Sequence, residues 1–287
     1  MIYLETFRFP EKDEEFDFFM SVKRTCYDSY YPFGVLSEKQ LRQIDFEPIT
    51  ILYGGNGCGK STALNVIADK LGAERDSVYN RSSFFEEYLA RCSGGKSLEK
   101  PEEIRIITSD DVFDYMLDIR NFNEGIDRKR EDIFQEYLDA KYSKFQLKSL
   151  DDYDKLKKVN LARSKTQSQF VRKNLHDNVR ERSNGESAFY YFTDKIRDKG
   201  LYLLDEPENS LSVERQMELK GFLENSARFF GCQFLISTHS PFLLSMSGAK
   251  IYDLDESPVD VKKWTELENV RAYYRFFKKN EHLFEES

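Results

Sequence analysis

The stretch Gly54-Gly55-Asn56-Gly57-Cys58-Gly59-Lys60-Ser61 decides how the rest of this chain is interpreted. It fits the pattern G-x-x-x-x-G-K-[ST] at every position. An apolar segment, residues 49–53, precedes it, and a segment with helical periodicity, residues 61–71, follows it. A strand, then such a loop, then a helix is the context in which this pattern binds phosphate groups. The sequence therefore predicts a phosphate-binding loop, or P-loop.

The residue types of this loop each have a chemical reason. Glycines allow backbone N–H groups to turn toward phosphates, and the N-terminus of the following helix adds its dipole. Lys60 is predicted to reach the β- and γ-phosphates of ATP, and Ser61 to offer its hydroxyl to Mg²⁺. Cys58 is interpreted as a small filler residue. The predicted nucleotide-binding residues of this region are Gly54, Gly55, Asn56, Gly57, Cys58, Gly59, Lys60, Ser61 and Thr62.

The composition is that of a globular chain. Of its 287 residues, 40% are hydrophobic and 33% are charged. No apolar run approaches the roughly 20 residues of a membrane helix, so we expect no membrane insertion. The first ten residues do not resemble a signal peptide. The four cysteines form no C-x-x-C pair, so neither a structural zinc site nor a disulfide scaffold is expected, and the prediction is a cytoplasmic protein.

Apolar runs alternate with helical segments along the chain. Several runs lack polar alternation, as expected for strands that are covered on both faces. The alternation predicts an α/β fold with a mainly parallel sheet around the P-loop, plus a helical lobe. The predicted domains are 1–110 and 183–287, which together form the core, and 111–182, a mostly helical insertion. The predicted strands are residues 2–9, 49–53, 104–108, 201–204, 233–237 and 250–254, and the predicted helices include 61–71, 188–197 and 212–230.

Two polar groups follow predicted strands and complete the chemistry of the loop. Asp205 and Glu206 end the run 201–204, and we expect this strand to be the neighbour of the P-loop strand. Asp205 is predicted to hold Mg²⁺, and Glu206 to act as the general base for the attacking water. His239 follows the run 233–237 and is predicted to contact the γ-phosphate. The predicted catalytic residues are thus Lys60, Glu206 and His239, and the predicted metal ligands are Ser61 and Asp205.

A second Gly-Lys-Ser sequence occurs at Gly95-Lys96-Ser97. The glycine that would open the pattern is replaced by Ala90, and no apolar strand precedes it. We therefore predict that residues 92–97 form an exposed loop rather than a second P-loop.

Three further motifs make the chain resemble the ATPases of the ABC superfamily. Ser183-Asn184-Gly185-Glu186-Ser187 resembles their signature loop, Asp205-Glu206-Pro207-Glu208 their acid motif, and Thr238-His239-Ser240-Pro241 their histidine switch. Of this superfamily, the chain is most similar to small stand-alone members, like the soluble ATPases of DNA repair and phage defence. The resemblance implies an ABC-type head that binds ATP and Mg²⁺.

The resemblance also implies how such a head works. In the family, two heads sandwich two ATP molecules, and each signature loop binds the γ-phosphate held by the other head. By this resemblance Ser183, Gly185 and Glu186 contact ATP on a partner subunit. The expected function is an ATPase that forms a homodimer on ATP and controls a separate effector protein.

The charge distribution leaves two alternatives open. The net charge is −8, yet residues 141–182 hold twelve basic and five acidic residues, so the remainder of the chain carries −15. This segment is either a nucleic-acid or partner-binding surface or a solvated helical face. The first alternative is therefore a nucleic-acid clamp gated by ATP. The second is the ATP-binding subunit of a transporter, which the motif Asn209-Ser210-Leu211-Ser212 disfavours, because transporter ATPases usually have Ala-Leu-Asp there.

Overall fold

The computed structural model describes residues 1–23, 26–143, 153–174, 184–209 and 211–285. The chain divides into two compact units. The first consists of Met1–Phe113 together with Asn184–Ser287, and the second of Asp114–Ser183. Each unit is described by itself below.

A six-stranded sheet forms the centre of the first unit. Its strands are parallel, except for the last, which pairs antiparallel with its neighbour. The mainly parallel α/β fold predicted from the alternation of strands and helices is therefore confirmed. In spatial order the strands are Glu103–Thr108 (β5), Gly200–Asp205 (β6), Gln233–Ser237 (β7), Ile49–Tyr53 (β3), Lys250–Asp253 (β8) and Asp260–Lys262 (β9).

The strand order corrects one expectation. The acid-bearing strand β6 is not the direct neighbour of the P-loop strand β3, because β7 lies between them. β7 pairs with β6 through Asp205↔Ser237 and with β3 through Leu52↔Ser237. The three strands therefore end at one level, and their polar carboxyl-end residues meet at one edge of the sheet.

Helices Lys60–Leu71 (α3) and Val213–Phe229 (α9) belong to the first unit, and α9 has the predicted end signals. Ser212 is the N-cap, and its hydroxyl accepts a hydrogen bond from the backbone N–H of Arg215. The helix ends before Gly231, which has a φ of +68°. β3 and β7 are buried along their whole lengths, as expected for strands covered on both faces.

A separate three-stranded antiparallel sheet corrects two further predictions. It consists of Gln43–Asp45 (β2), Leu4–Arg8 (β1) and Ser93–Lys96 (β4), with β1 in the middle. The predicted strand at residues 2–9 therefore exists, but it lies outside the parallel sheet. The prediction of an exposed loop at residues 92–97 is therefore wrong: residues 93–96 are exposed but pair as β4 with β1, and Cys92 is buried. A run with two glycines has a low strand propensity, and β4 forms only because it pairs with β1, which is distant in sequence.

The remaining helices of the first unit pack on or near these sheets. They include the helix after the signature motif, which was predicted at residues 188–197 and begins earlier. Their bounds are Lys12–Ser21 (α1), Val35–Glu38 (α2), Phe85–Arg91 (α4), Asn184–Lys195 (α8), Pro241–Leu244 (α10), Glu268–Lys279 (α11) and His282–Glu285 (α12), with a 3₁₀ turn at Trp264–Glu266.

The described part of the second unit is helical, as predicted. It contains most of the long helix Ser109–Tyr142 (α5), together with Tyr153–Ser164 (α6) and Gln167–Asn174 (α7). A small core holds these helices together, with Tyr137, Val159 and Phe170 among its buried members. Over the described residues of the chain, no helix is both long enough and apolar enough to cross a membrane.

Candidate nucleotide-binding site

The P-loop joins β3 to α3 and adopts backbone angles that require glycine. Gly54 has a φ of +150°, and a Cβ atom added to it would lie 2.6 Å from the sulfur of Cys58. Gly59 has a φ of +103°, and a Cβ there would lie 3.0 Å from a methyl group of Leu36. A side chain at either position would strain the backbone and push on packed neighbours. The sequence pattern is therefore a direct consequence of the loop geometry.

Lys60 is buried inside this loop. Its Nζ donates to the carbonyl oxygens of Gly54 at 2.8 Å and Gly55 at 3.2 Å. It also lies 2.9 Å from Nε2 of His239. Since an ammonium group has only donors, Nε2 can take part in this contact only as the acceptor. The cation is thus held at the edge of the sheet, at the position from which it can meet a phosphate.

Glu206 lies beside the contact between the lysine and the histidine. Its Oε1 is 3.3 Å from Nε2 of His239 and 4.0 Å from Nζ of Lys60. Its backbone has a φ of +48°, which is rare for a residue with a side chain and costs about 1–3 kcal/mol. The backbone N–H bonds to the carbonyl of Ser237, and Asn209 Nδ2 donates to Oε2 at 3.1 Å. The neighbouring strand and the following turn therefore hold Glu206 in a strained backbone conformation, with its carboxylate near Lys60 and His239.

Asp205 presents a carboxylate that the described residues do not fully satisfy. Its Oδ1 is buried without a hydrogen-bond partner among them. Burial raises the pKa of this carboxyl group, while the hydroxyls of Ser237 and Ser61 and the charge of Lys60 act in the opposite direction. A buried carboxylate oxygen beside a serine hydroxyl fits Mg²⁺, which uses one or two carboxylates and completes its shell with phosphates and water. The residues present therefore fit the ion that the motif implies.

Glu208 anchors the loop of His239, a role that the sequence analysis did not assign. Its Oε1 accepts hydrogen bonds from the backbone N–H of His239 at 2.6 Å and of Ser240 at 3.2 Å. Burial raises the pKa of its carboxyl group, and the N–H of His239 opposes this. The sequence did contain a pattern that points to Glu208, because this residue belongs to the acid motif. What a linear motif does not show is that this side chain reaches back to the next strand.

Asp255 is a second group that the sequence analysis missed. Both of its carboxylate oxygens accept from the backbone N–H of Gly55, at 2.8 and 2.9 Å. It is positioned by the buried Asp253, whose Oδ1 accepts from the N–H of Asp255 and whose Oδ2 accepts from Lys262 Nζ. Asp253 ends β8, which pairs with β3. An acid just beyond a strand end is a common pattern, so only the strand order reveals its contact with the P-loop.

The other predicted residues fall into three groups. Asn56, Gly57 and Ser61 are exposed at the open side of the loop, whereas Cys58 and Thr62 are buried. Burial raises the pKa of the Cys58 thiol. Of the signature residues, Gly185 and Glu186 lie in the first turn of α8, with Glu186 3.6 Å from a guanidinium nitrogen of Arg215. Ser183 lies outside the described residues.

Comparison with known families gives one match. Residues 154–245 match the family model described as "AAA domain, putative AbiEii toxin, Type IV TA system". The match includes the signature, the acid motif and His239, but not the P-loop. No curated protein matches the chain.

Solved structures with a similar fold are ATPase heads and transporters. One is described as "An inward-facing conformation of a putative metal-chelate type ABC transporter", with 19% identity, a TM-score of 0.37, and coverage of 82% of each chain. Another is an Smc head domain bound to the C-terminal domain of ScpA from Pyrococcus furiosus, with 13% identity, a TM-score of 0.41, and coverage of 81% of this chain and 95% of that one. A third is a dimeric ATP-binding cassette bound to ADP and Pi, with 12% identity, a TM-score of 0.36, and coverage of 78% and 90%. These are distant likenesses of fold alone.

The motifs, the loop geometry and the family match agree with one another. The P-loop precedes the matched segment, and the acid motif and His239 fall inside it. This arrangement supports ATP binding and hydrolysis in general. The chain resembles a stand-alone ABC-class ATPase, as its motifs predicted.

Proposed function

We propose that this protein hydrolyses ATP with Mg²⁺ and uses the nucleotide to join two copies of itself. One observation carries the proposal. The Lys60 ammonium, the Glu206 carboxylate and the His239 imidazole, which come from three different strand ends, lie within 4.0 Å of one another beside the unpartnered Oδ1 of Asp205. A cation, a base, a water-orienting group and a metal ligand are the parts that phosphoryl transfer to water requires.

Each residue has a defined task in this reaction. Asp205 and Ser61 would hold Mg²⁺, which neutralises negative charge on the phosphates. Lys60 exchanges its carbonyl partners for phosphate oxygens, which are stronger acceptors. Glu206 accepts a proton from the attacking water, and His239 helps to orient that water. Glu208 keeps His239 in place through the backbone of the loop.

Substitution of the base tests this assignment. We expect Glu206→Gln to retain ATP binding and to lower turnover about 10²-fold or more, because the amide cannot accept the proton. Glu214→Gln is the matched control, since Glu214 is an acid in the first turn of α9. Steady-state phosphate release measures turnover, and equilibrium binding of a fluorescent ATP analogue measures affinity. Wild-type turnover in Glu206→Gln would exclude Glu206 as the base.

We further propose that the signature acts on a second subunit. Gly185 and Glu186 open α8, and the first turn of a helix offers backbone N–H groups to an anion. Residues 183–187 resemble the signature loop, and this resemblance supports a nucleotide held by the partner subunit as that anion. ATP would then lie between two heads, and its hydrolysis would release them.

Sedimentation at about 1 µM protein tests the sandwich. We expect Glu206→Gln with ATP to sediment as a dimer, because it binds ATP without consuming it. Ser183→Arg in the same background should remain monomeric while still binding ATP, since the added side chain blocks the approach to the γ-phosphate. Two variants that both stay monomeric with ATP bound would contradict the sandwich.

The biological role that we propose is the control of a separate effector in DNA repair or phage defence. The family model supports defence, since its description includes a toxin of a toxin–antitoxin system. Plaque assays in the native host with wild type, Glu206→Gln and a deletion test it. Equal plaque numbers in all three strains would contradict a defence role. The nucleic-acid alternative concerns residues 141–182, of which the structure describes 141–143 and 153–174, and it stays a prediction.

A further inference from the structure

The last long helix of the chain, α11, has an apolar face that is largely exposed. At 100° per residue, Val270, Tyr273, Tyr274 and Phe277 fall on one side of this helix. Only Val270 is buried, whereas Tyr274 is 64% and Phe277 53% exposed. Large aromatic residues exposed together on one helix face are typical of interaction surfaces. We therefore expect this face to bind another protein surface.

This face forms one wall of an open groove. Val213 and Phe242 line the same cavity, which has a volume of about 640 Å³. Trp264, Tyr273, Glu208 and His239 also line it. We refer to it as the aromatic groove. Its aromatic and aliphatic lining is of the kind that receives an apolar helix face.

Positive charge borders the aromatic groove. Arg271 and Lys278 flank Tyr274 on α11, and Lys278 Nζ lies 5.7 Å from the centre of the Tyr274 ring. Within the described part of the chain, neither of these two cations forms an ion pair. The residues of α11 carry four cations and one acid, while the whole chain carries −8. An occupant with acidic residues beside apolar ones would complement this border.

The chain itself contains such a segment, on helix α1. Phe16 and Met20 are 61% and 73% exposed and lie one turn apart. Asp13 and Asp17, also one turn apart, are exposed beside them, and neither forms an ion pair with a described residue. We refer to these four residues as the acidic stripe. Apolar anchors four residues apart are the spacing with which a helix enters a groove.

We propose that the acidic stripe of one copy of this protein docks in the aromatic groove of a second copy. Asp13 and Asp17 would meet Arg271 and Lys278, while Phe16 and Met20 cover the exposed aromatic rings. Because each copy offers both surfaces, the contact can be made twice between two copies or repeated along a chain of copies. It would place a neighbour against the loop of His239. The contact needs no nucleotide and does not rest on the proposed ATP sandwich.

Charge reversal in two separate variants tests the proposal. The stripe variant is Asp13→Lys with Asp17→Lys, and the groove variant is Arg271→Glu with Lys278→Glu. Both carry Lys60→Ala, so that no ATP sandwich contributes, and sedimentation is measured without nucleotide. The contact is small, so we expect self-association of the Lys60→Ala parent with a Kd of roughly 10–100 µM. Each variant alone should associate about tenfold more weakly or worse, because like charges then face each other.

An equimolar mixture of the two variants is the decisive sample. The lysines of the stripe variant can pair with the glutamates of the groove variant, and the two unchanged surfaces can pair as in wild type. We therefore expect the mixture to associate as the parent does. Lys279→Glu is the control for the groove side, because Lys279 lies on α11 opposite the apolar face. It should leave association unchanged.

Three outcomes would overturn the proposal. The first is a parent that stays monomeric at 200 µM. The second is a mixture that associates no better than its two components. The third is binding of the parent to single-stranded oligothymidylate that is lost in the groove variant, together with self-association that neither variant weakens. That result would assign the aromatic rings and cations to base stacking and phosphate contact instead.

Discussion

The two halves of the nucleotide site differ in how far the chain satisfies its own polar groups. On the P-loop side, Lys60 has two carbonyl partners, and the N–H of Gly55 is held by Asp255. On the acid side, Asp205 and Glu208 each have one buried carboxylate oxygen without a partner among the described residues. Glu206, between them, has a strained backbone. One half is therefore complete without a ligand, and the other half is not.

This difference indicates which half carries the energetic cost of function. A buried polar atom without a hydrogen bond costs about 1–3 kcal/mol, and at a binding site a bound ion or ligand can satisfy it. The P-loop can thus fold as a stable scaffold, whereas the acid edge is poised for an ion and a phosphate. Substitutions on the two sides should then differ in kind. A substitution on the P-loop side should weaken ATP binding, whereas a substitution on the acid side can stabilise the folded protein without nucleotide.

The largest effect is expected on the P-loop side. Lys60→Ala should weaken ATP binding about 100-fold, since it removes a charged donor to the phosphates. Lys70→Ala is the matched control, because Lys70 is on the same helix and donates instead to the carbonyl of Leu89. Calorimetric titration with ATP and Mg²⁺ measures both. If the two variants bound ATP equally well, the assignment of Lys60 to the phosphates would be wrong.

An intermediate effect is expected from the anchor of the histidine loop. Glu208→Ala should lower turnover about tenfold with little change in ATP affinity, because it frees the loop that positions His239. Glu208→Gln should restore most of the activity, since its amide oxygen can still accept from the N–H groups of His239 and Ser240. Steady-state kinetics of the three proteins, with kcat and KM determined separately, make the measurement. A purely structural role would instead lower the melting temperature of both variants and leave the kcat of the folded protein unchanged.

The sequence alone predicted most of the nucleotide-binding residues but fewer of the residues and strands around them. The P-loop was predictable because Gly54 and Gly59 are imposed by backbone angles that few other residues adopt. β3, β6 and β7 were predictable because covered strands are continuous apolar runs, and the shorter apolar runs of β5 and β8 were recognised as well. The strand order was not, since a local pattern does not record which strand lies between two others. Asp255 and β4 were missed for the same reason, because each depends on a partner distant in sequence.

The smallest effect, and the sharpest test of the comparison, is a gain in stability on the acid side. Asp205→Asn removes a buried charge that the described residues leave partly unsatisfied. We expect the variant to unfold at a temperature roughly 2 °C higher than wild type without nucleotide, which corresponds to about 1 kcal/mol. With ATP and Mg²⁺ the order should reverse, because a ligand stabilises only the protein that binds it well. Thermal unfolding by circular dichroism measures both conditions.

The dependence of this gain on pH follows from the pKa of Asp205, which burial raises in the folded protein. Below about pH 4, the ordinary pKa of an aspartate, the carboxyl group is protonated in both the folded and the unfolded chain and carries no charge to bury. As the pH rises toward the higher folded pKa, the unfolded chain loses its proton first, and wild type loses stability. The asparagine does not titrate, so between about pH 4 and 8 the difference in unfolding temperature should be smallest at the acidic end and grow until the pH passes the folded pKa of Asp205. A gain that is constant across this range would show that the charge of Asp205 is not its cause, and the two halves of the site would then not differ as described.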